Sequence, residues 1–168
     1  AQDTSKIQHS VIRLLASHSR NIFMVGDEDQ SIYGFRAAYP DALMSFTRDH
    51  ERARVLLLEQ NYRSTQTIVK AANSLIKNNR NQIKKDVYSE NAVGEKLQYK
   101  PAYSDKEEAV IVAKDIKRIK RQDNCEYHDF AILYRTNAQS RSFEEEFRRQ
   151  GIPYRIYGGL SFYQRKEI

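Results

Sequence analysis

The stretch SDKEEAVIVAKDIKRIKRQDNCEYHDFAILYRTNAQSRSFEEEFRRQGIPYRIYGG, residues 104–159, switches repeatedly between two hydrophobic periods. Ala109, Val112, Ala113, Ile116 and Ile119 recur at helical spacing, predicting a helix over 104–122, and Ser104 with Glu107 has the form of a capping box. DFAILYRTN, 129–137, is a short apolar run of the kind that forms a buried strand. A second helix follows over 137–151, with Phe143 and Phe147 four apart and Gly151 as its natural stop. IPYRIYGG, 152–159, closes as a strand. Strands alternating with helices in this way predict an α/β fold built on a parallel sheet.

The same alternation runs upstream. A helix over roughly 5–18 carries Ile7, Val11, Leu14 and Leu15, with Thr4 or Ser5 available as N-cap. Ile22–Val25 is a buried strand ending at Gly26-Asp27, a helix begins near Pro40, and ARVLLLEQ, 53–60, is another buried strand. Ser64 stands where it can cap a helix bearing Ile68, Ala71, Ala72, Leu75 and Ile76. The polar, Asn- and Lys-rich stretch 78–96 reads as a loop or linker, and KLQYKPAY, 96–103, as a strand.

Composition narrows the class. The chain has 168 residues, 40% hydrophobic and 30% charged, which is enough for a packed core and too apolar for a disordered chain. No apolar run reaches membrane-spanning length, and no signal pattern opens the sequence, so a cytoplasmic location is expected. The lone Cys125 excludes an internal disulfide framework, and the histidines at 9, 18, 50 and 128 lack metal-ligand spacing. Charge is unevenly placed: residues 1–60 carry 7 Lys+Arg against 8 Asp+Glu, whereas 61–168 carry 21 against 14. The second part either faces something anionic or presents an ordinary solvated basic surface.

Three segments hold residue types with chemistry. In VGDEDQSIYGFR, 25–36, Asp27 lies at a strand end, and Gln30 can donate to a phosphate oxygen while accepting from a water. Tyr33, Phe35 and Arg36 suit stacking on unpaired bases beside a phosphate contact, or else a core with a salt-bridged arginine. In LEQNYRST, 58–65, Tyr62 and Arg63 sit between a strand and a helix, where Arg63 can fork onto phosphate oxygens or simply pair within the turn. In YRTNAQSR, 134–141, Arg135, Asn137 and Arg141 surround a helix start whose amides can hold a backbone phosphate, or form a plain capped junction. The Lys/Arg-rich stretch 114–121 reads as a solvated face. No G-x-x-x-x-G-K-[ST] occurs, so these residues alone cannot build a complete triphosphate cradle.

Taken in order, VGDEDQSIYGFR, LLLEQNYRST and ILYRTNAQSR resemble consecutive motifs of the UvrD/PcrA/Rep family of superfamily 1A DNA helicases. IPYRIYGGLSFYQRKEI, 152–168, is similar to the stretch ahead of that family's inserted 2B subdomain, and AQDT at the start resembles the tail of its Walker B motif. The resemblance implies a RecA-like parallel sheet with flanking helices, here incomplete. Residues 1–60 would be the C-terminal part of subdomain 1A and 61–168 the first part of 2A, ending where 2B begins. It implies an ATP-dependent 3′-to-5′ helicase or translocase using ATP and Mg2+, with the 168 residues alone inactive as an ATPase. It implies that Gln30 contacts the γ-phosphate, Tyr62 lies against adenine and Arg63 reaches the γ-phosphate as a catalytic arginine, with Asp27 beside the nucleotide. Gln2 and Asp3 would support the magnesium and water site. Tyr33, Phe35 and Arg36 would contact single-stranded DNA, with Arg135 and Asn137 further along its track. The implied partners are single-stranded DNA, single-strand/double-strand junctions and DNA-repair proteins, with no membrane. A helicase–nuclease of the same superfamily, or a nucleic-acid-binding module that does not hydrolyse ATP, are the alternatives. The family usually has Trp where this chain has Phe35 and Gly-Ala where it has Ala37-Ala38, so stacking area is reduced here.

Overall fold

The computed structural model describes residues 1–19 and 21–157; the matches expected over 158–168 lie outside the described residues. The chain divides into two compact units, Ala1–Leu97 and Gln98–Ile168.

In the first unit, α1 spans Lys6–Leu15 and is capped by Ser5. Ser5 Oγ accepts from the Gln8 N–H (3.3 Å), and Gln8 Oε1 accepts from the Ser5 N–H (2.8 Å), so two orphan amides are satisfied reciprocally. Thr4 instead hydrogen-bonds His9, which is the buried residue of this helix. The expected apolar stripe of Ile7, Val11, Leu14 and Leu15 is present but exposed. The helix expected from Pro40 forms as two short pieces, α2 (Asp41–Met44) and α3 (Phe46–Asp49), separated at Ser45.

Helix α4 spans Gln66–Ile76, and its N-cap is Thr65, not Ser64. No side chain caps it. The Gln66 and Thr67 amides donate instead to the carbonyls of Ala92 and Val93, at 3.1 and 3.0 Å. Segment 87–94 is therefore no free linker. Asn73 Nδ2 donates to Val87 O, Ser89 Oγ to Ser64 O, and Asn91 Nδ2 to the carbonyls of Tyr62 and Ser64. Gly94 makes the close approach possible: its φ is +74°, and a Cβ there would stand 2.5 Å from Thr65 Cβ.

The second unit has an apolar core, with Glu144 and Glu146 also buried. Its α5 (Asp105–Asp123) begins at Ser104, whose Oγ accepts from the Glu107 N–H, while the Glu107 carboxylate takes the Tyr103 N–H. Asn124, left-handed at φ 50°, ends it. Helix α6 (Ser140–Gln150) ends at left-handed Gly151 as expected. Ala109 and Ala113 are fully buried, which lets α5 approach Phe143, Phe147 and Ile152 closely. Phe130, Ile132 and Tyr154 pack against this cluster from segments 129–134 and 152–157.

The parallel sheet is the expectation the structure does not meet. Among the described residues there are only two isolated bridges, Ser5 with Ala38 (antiparallel) and Gln60 with Tyr88 (parallel). The segments expected as strands have no ladder, and their apolar side chains stay exposed, among them Phe23, Leu56, Leu58, Tyr99 and Leu133. The physical reason is that an apolar run reports the environment a segment suits, not the neighbour it pairs with. A buried parallel strand needs hydrogen-bonding partners along its edges and helices on both faces. Segment 129–134 has half of that: Phe130 and Ile132 turn inward while Leu133 is 95% exposed.

Candidate nucleotide and nucleic-acid site

Gly26-Asp27 opens a tight sequence of turns. Gln2 lies against it: its Oε1 accepts from the Asp27 N–H (3.2 Å), its carbonyl accepts from Ser31 Oγ, and a Cβ on Gly26 would stand 2.9 Å from Gln2 Oε1. Asp3 is exposed. Asp27 then caps the 3-10 turn Glu28–Gln30 by accepting the Asp29 N–H. The other Asp27 oxygen accepts from Gln30 Nε2 at 2.5 Å, which fixes which way the Gln30 carboxamide faces.

Three consecutive carboxylates form this turn, and Lys85 compensates them. Its Nζ lies 2.7 Å from Asp27 Oδ1, 3.2 Å from Glu28 Oε1 and 3.1 Å from Asp29 Oδ2. The side chains of Glu28 and Asp29 are more than nine-tenths buried, and that of Lys85 is 18% exposed. Burial opposes charge on Asp27, yet hydrogen bonds from Lys85 and Gln30 outweigh it and hold the carboxyl below its usual range. Burial likewise opposes the Lys85 ammonium, and Asp27, Asp29 and Glu28 prevail, raising its pKa above the ordinary lysine value. Residues 79–83 add to the tie: Asn79 Nδ2 donates to Asp29 Oδ1 (3.3 Å) and the Ile83 N–H to Glu28 Oε1 (2.7 Å).

Immediately downstream, Tyr33 and Phe35 are exposed and lie with ring centroids 5.8 Å apart, tilted by 47°. They do not fill a core. The 3-10 turn Gly34–Arg36 that presents Phe35 ends at Ala37, which is left-handed (φ 59°, ψ 30°). An alanine pays roughly 1–2 kcal/mol for that conformation.

Tyr62 and Arg63 occupy a turn organised by Asn61, whose Oδ1 accepts from the backbone amides of Arg63 (3.0 Å) and Ser64 (2.8 Å). The Tyr62 hydroxyl donates to Gln60 Oε1 while its ring is exposed. Arg63 is exposed, and its guanidinium forms no ion pair among the described residues. It is therefore available to an anion from outside.

In the second unit, Arg135 and Asn137 are exposed at the start of the 3-10 turn Asn137–Gln139. The amides of Arg135 and Thr136 are not free for a phosphate, because both donate to Gln139 Oε1 at 3.0 Å. Arg141 pairs with Glu145 one helical turn on. The basic face of α5 behaves as a solvated, self-paired surface: Arg118 meets Asp115 and Gln122, Lys120 meets Glu126, and Lys117 Nζ caps the Gln150 carbonyl.

The site thus gathers Gln2, Asp27 and Gln30 into one hydrogen-bonded turn, with Tyr33 and Phe35 following on. The residue that sequence reasoning missed is Lys85. No local signal marks it, although D-E-D at 27–29 has no Lys or Arg from 21 to 35 and so demanded a cation from elsewhere in the chain.

Comparison with known proteins gives this arrangement a family. Residues 1–51 match the UvrD/REP helicase N-terminal domain, and residues 56–168 match the UvrD-like helicase C-terminal domain. The chain is 48% identical over 167 residues to the ATP-dependent DNA helicase PcrA of Staphylococcus aureus, covering 99% of this chain and 23% of that protein. Identity to the PcrA helicases of Staphylococcus epidermidis and Leuconostoc citreum is 47% and 43%, again over 99% of this chain and 23% and 22% of those proteins. The chain therefore spans less than a quarter of the curated relatives it matches, and it belongs to the UvrD-like helicase family.

Proposed function

We propose that the chain is part of an ATP-dependent 3′-to-5′ DNA helicase or translocase. Residues 1–60 would contribute to one RecA-like motor subdomain and 61–168 to the other, a division supported by the change of matching family domain between residues 51 and 56. The observation that carries the reading is the turn 27–35. It places a carboxamide fixed by an ion cluster (Gln30) within five residues of two exposed aromatic rings (Tyr33, Phe35). One short stretch of chain can then both read a nucleotide and touch a base.

The residues fit a nucleotide. Arg63 offers an uncompensated planar fork for phosphate oxygens, Tyr62 an exposed ring for adenine, and Gln30 a donor for the γ-phosphate. ATP supplies the phosphoryl group whose transfer to water drives movement. Arg63 would stabilise charge on that group, and Gln30 would convey its presence to the rings of Tyr33 and Phe35. Asp27 serves by orienting Gln30. The oxygens of Asp27, Glu28 and Asp29 lie within 4.8 Å of one another, but Lys85 already supplies the positive charge there, so this cluster does not fit the accompanying magnesium. Gln2, hydrogen-bonded to that turn, and the exposed Asp3 would stand beside the magnesium and water site. Single-stranded DNA and single-strand/double-strand junctions are the substrates in this reading, stacked on Tyr33 and Phe35 beside Arg36, with Arg135 and Asn137 further along the strand. Work in DNA repair or replication in the cytoplasm, alongside DNA-repair proteins, follows from the same reading.

Steady-state ATPase of the full-length protein, with and without single-stranded DNA, tests this. Strong DNA stimulation is expected, and Arg63→Ala should lower kcat by about 10³-fold, as for other arginines acting on a γ-phosphoryl. Absence of hydrolysis under every condition would instead identify a nucleic-acid-binding module.

A further inference from the structure

We propose that Lys85 is a positioning residue for Gln30, acting through Asp27: its ammonium gathers the three carboxylates of the 27–29 turn, and Asp27 in turn holds the Gln30 carboxamide. The inference rests on Gln30 being the γ-phosphate contact and deepens that reading.

The geometry is a relay. Lys85 Nζ sits 2.7 Å from Asp27 Oδ1, and the opposite oxygen of the same carboxylate accepts from Gln30 Nε2. Without Lys85, Asp27, Glu28 and Asp29 would be three like charges in a partly dry turn, two of them on side chains more than nine-tenths buried. Such a turn must open or take up protons, and either response frees the carboxamide. The contact also crosses the sequence in a telling way. Asp27–Asp29 fall within the match to the N-terminal helicase domain and Lys85 within the match to the C-terminal one. Asn79 and Ile83 reinforce the same crossing through Asp29 and Glu28. Within the compact unit Ala1–Leu97, an ammonium from the segment that matches the C-terminal helicase domain therefore sets the orientation of the phosphate-sensing amide in the segment that matches the N-terminal one.

Two measurements on the full-length protein test this. The first is amine acylation of each lysine. Lys85 should react at least several-fold more slowly than the exposed Lys106, and Asp27→Asn combined with Glu28→Gln should bring it toward the Lys106 rate. Equal rates in the wild type would show that the ion cluster does not exist and overturn the proposal whatever the activity. The second is DNA-stimulated ATPase of Lys85→Met, Gln30→Ala and the double variant. Lys85→Met should lose about 10- to 100-fold in kcat, the scale of a misplaced reacting group, with little change in KM for ATP. In the Gln30→Ala background the same substitution should cost nothing further, and Lys85→Arg should recover most of the rate. Equal losses in both backgrounds would overturn the positioning role. Should Lys85→Met fail to fold, Asp27→Asn takes its place in the cycle with the same expectations. A wild type that hydrolyses no ATP would overturn the helicase reading and with it the positioning role, while the acylation result still judges the ion cluster separately.

Discussion

The two units are held together by different physics. From Gln98 onward, an apolar cluster of Ala109, Ala113, Ile116, Phe143, Phe147 and Ile152 is buried between two helices. In Ala1–Leu97, by contrast, Val69 and His9 are the buried side chains of the helices, and cohesion comes from polar ties: Lys85 to the 27–29 acids, Asn73 and Asn91 to backbone carbonyls, and the α4 amides to segment 92–93. Apolar burial is non-directional and insensitive to pH, whereas ion clusters and hydrogen bonds depend on charge state and angle. The groups proposed for the nucleotide, Gln30, Tyr62 and Arg63, all lie in the polar unit. A site that must change state with its ligand is better built from contacts that can be made and broken.

The largest expected contrast is in stability. Phe147→Ala should destabilise the second unit by about 3–5 kcal/mol, as for buried aromatic truncations. Hydrogen exchange should show lost protection in α5 and α6 with the 27–29 turn unaffected; equal losses in both units would break the comparison. Next in size is DNA contact. Phe35→Ala in the full-length protein should weaken single-stranded DNA binding by about 1–3 kcal/mol, the range for one stacked base, while leaving both units folded. Titration of single-stranded DNA at fixed salt measures it.

Acid should separate the units as well. The Asp27 carboxyl has a depressed pKa in the folded chain, so its contribution is present above the ordinary carboxylate range and is lost as pH falls through the depressed value. The raised Lys85 pKa works in the opposite sense: its contribution is complete below the ordinary lysine value and fades only in strong alkali. The Asp27–Lys85 pair thus contributes fully from about pH 5 to pH 10, and the Asp29 N–H signal should shift only once pH falls below the ordinary carboxylate range, before α5 and α6 unfold. The smallest effect is at Ala37. Glycine relieves the left-handed strain but costs chain entropy, so Ala37→Gly should stabilise the first unit by about 0.5–1 kcal/mol, read from its denaturation midpoint.

What could be read from the sequence follows the range of each interaction. Helices α5 and α6, the stop at Gly151 and the inward faces of both are set by residues within a turn or two of one another, and all were legible. So were the motif segments, because their residue types are contiguous. The cap of α4 was not: Ser64 has the right chemistry, but carbonyls from residues 92 and 93 took the amides. The expected strands lack ladders for a related reason. VLLL at 55–58 states a preference for burial, but a ladder needs a second segment, and among the described residues none pairs with it. Lys85 escaped because its three partners stand more than fifty residues away and segment 78–96 looks like a polar linker.

The directed movement on DNA proposed for the full-length protein is tested most directly by its translocation kinetics on single strands of increasing length. A fluorophore on the 5′ end should report ATP-dependent arrival after a lag that grows with strand length, and one on the 3′ end should show no such lag. Signals independent of strand length or of ATP at both ends would contradict the account.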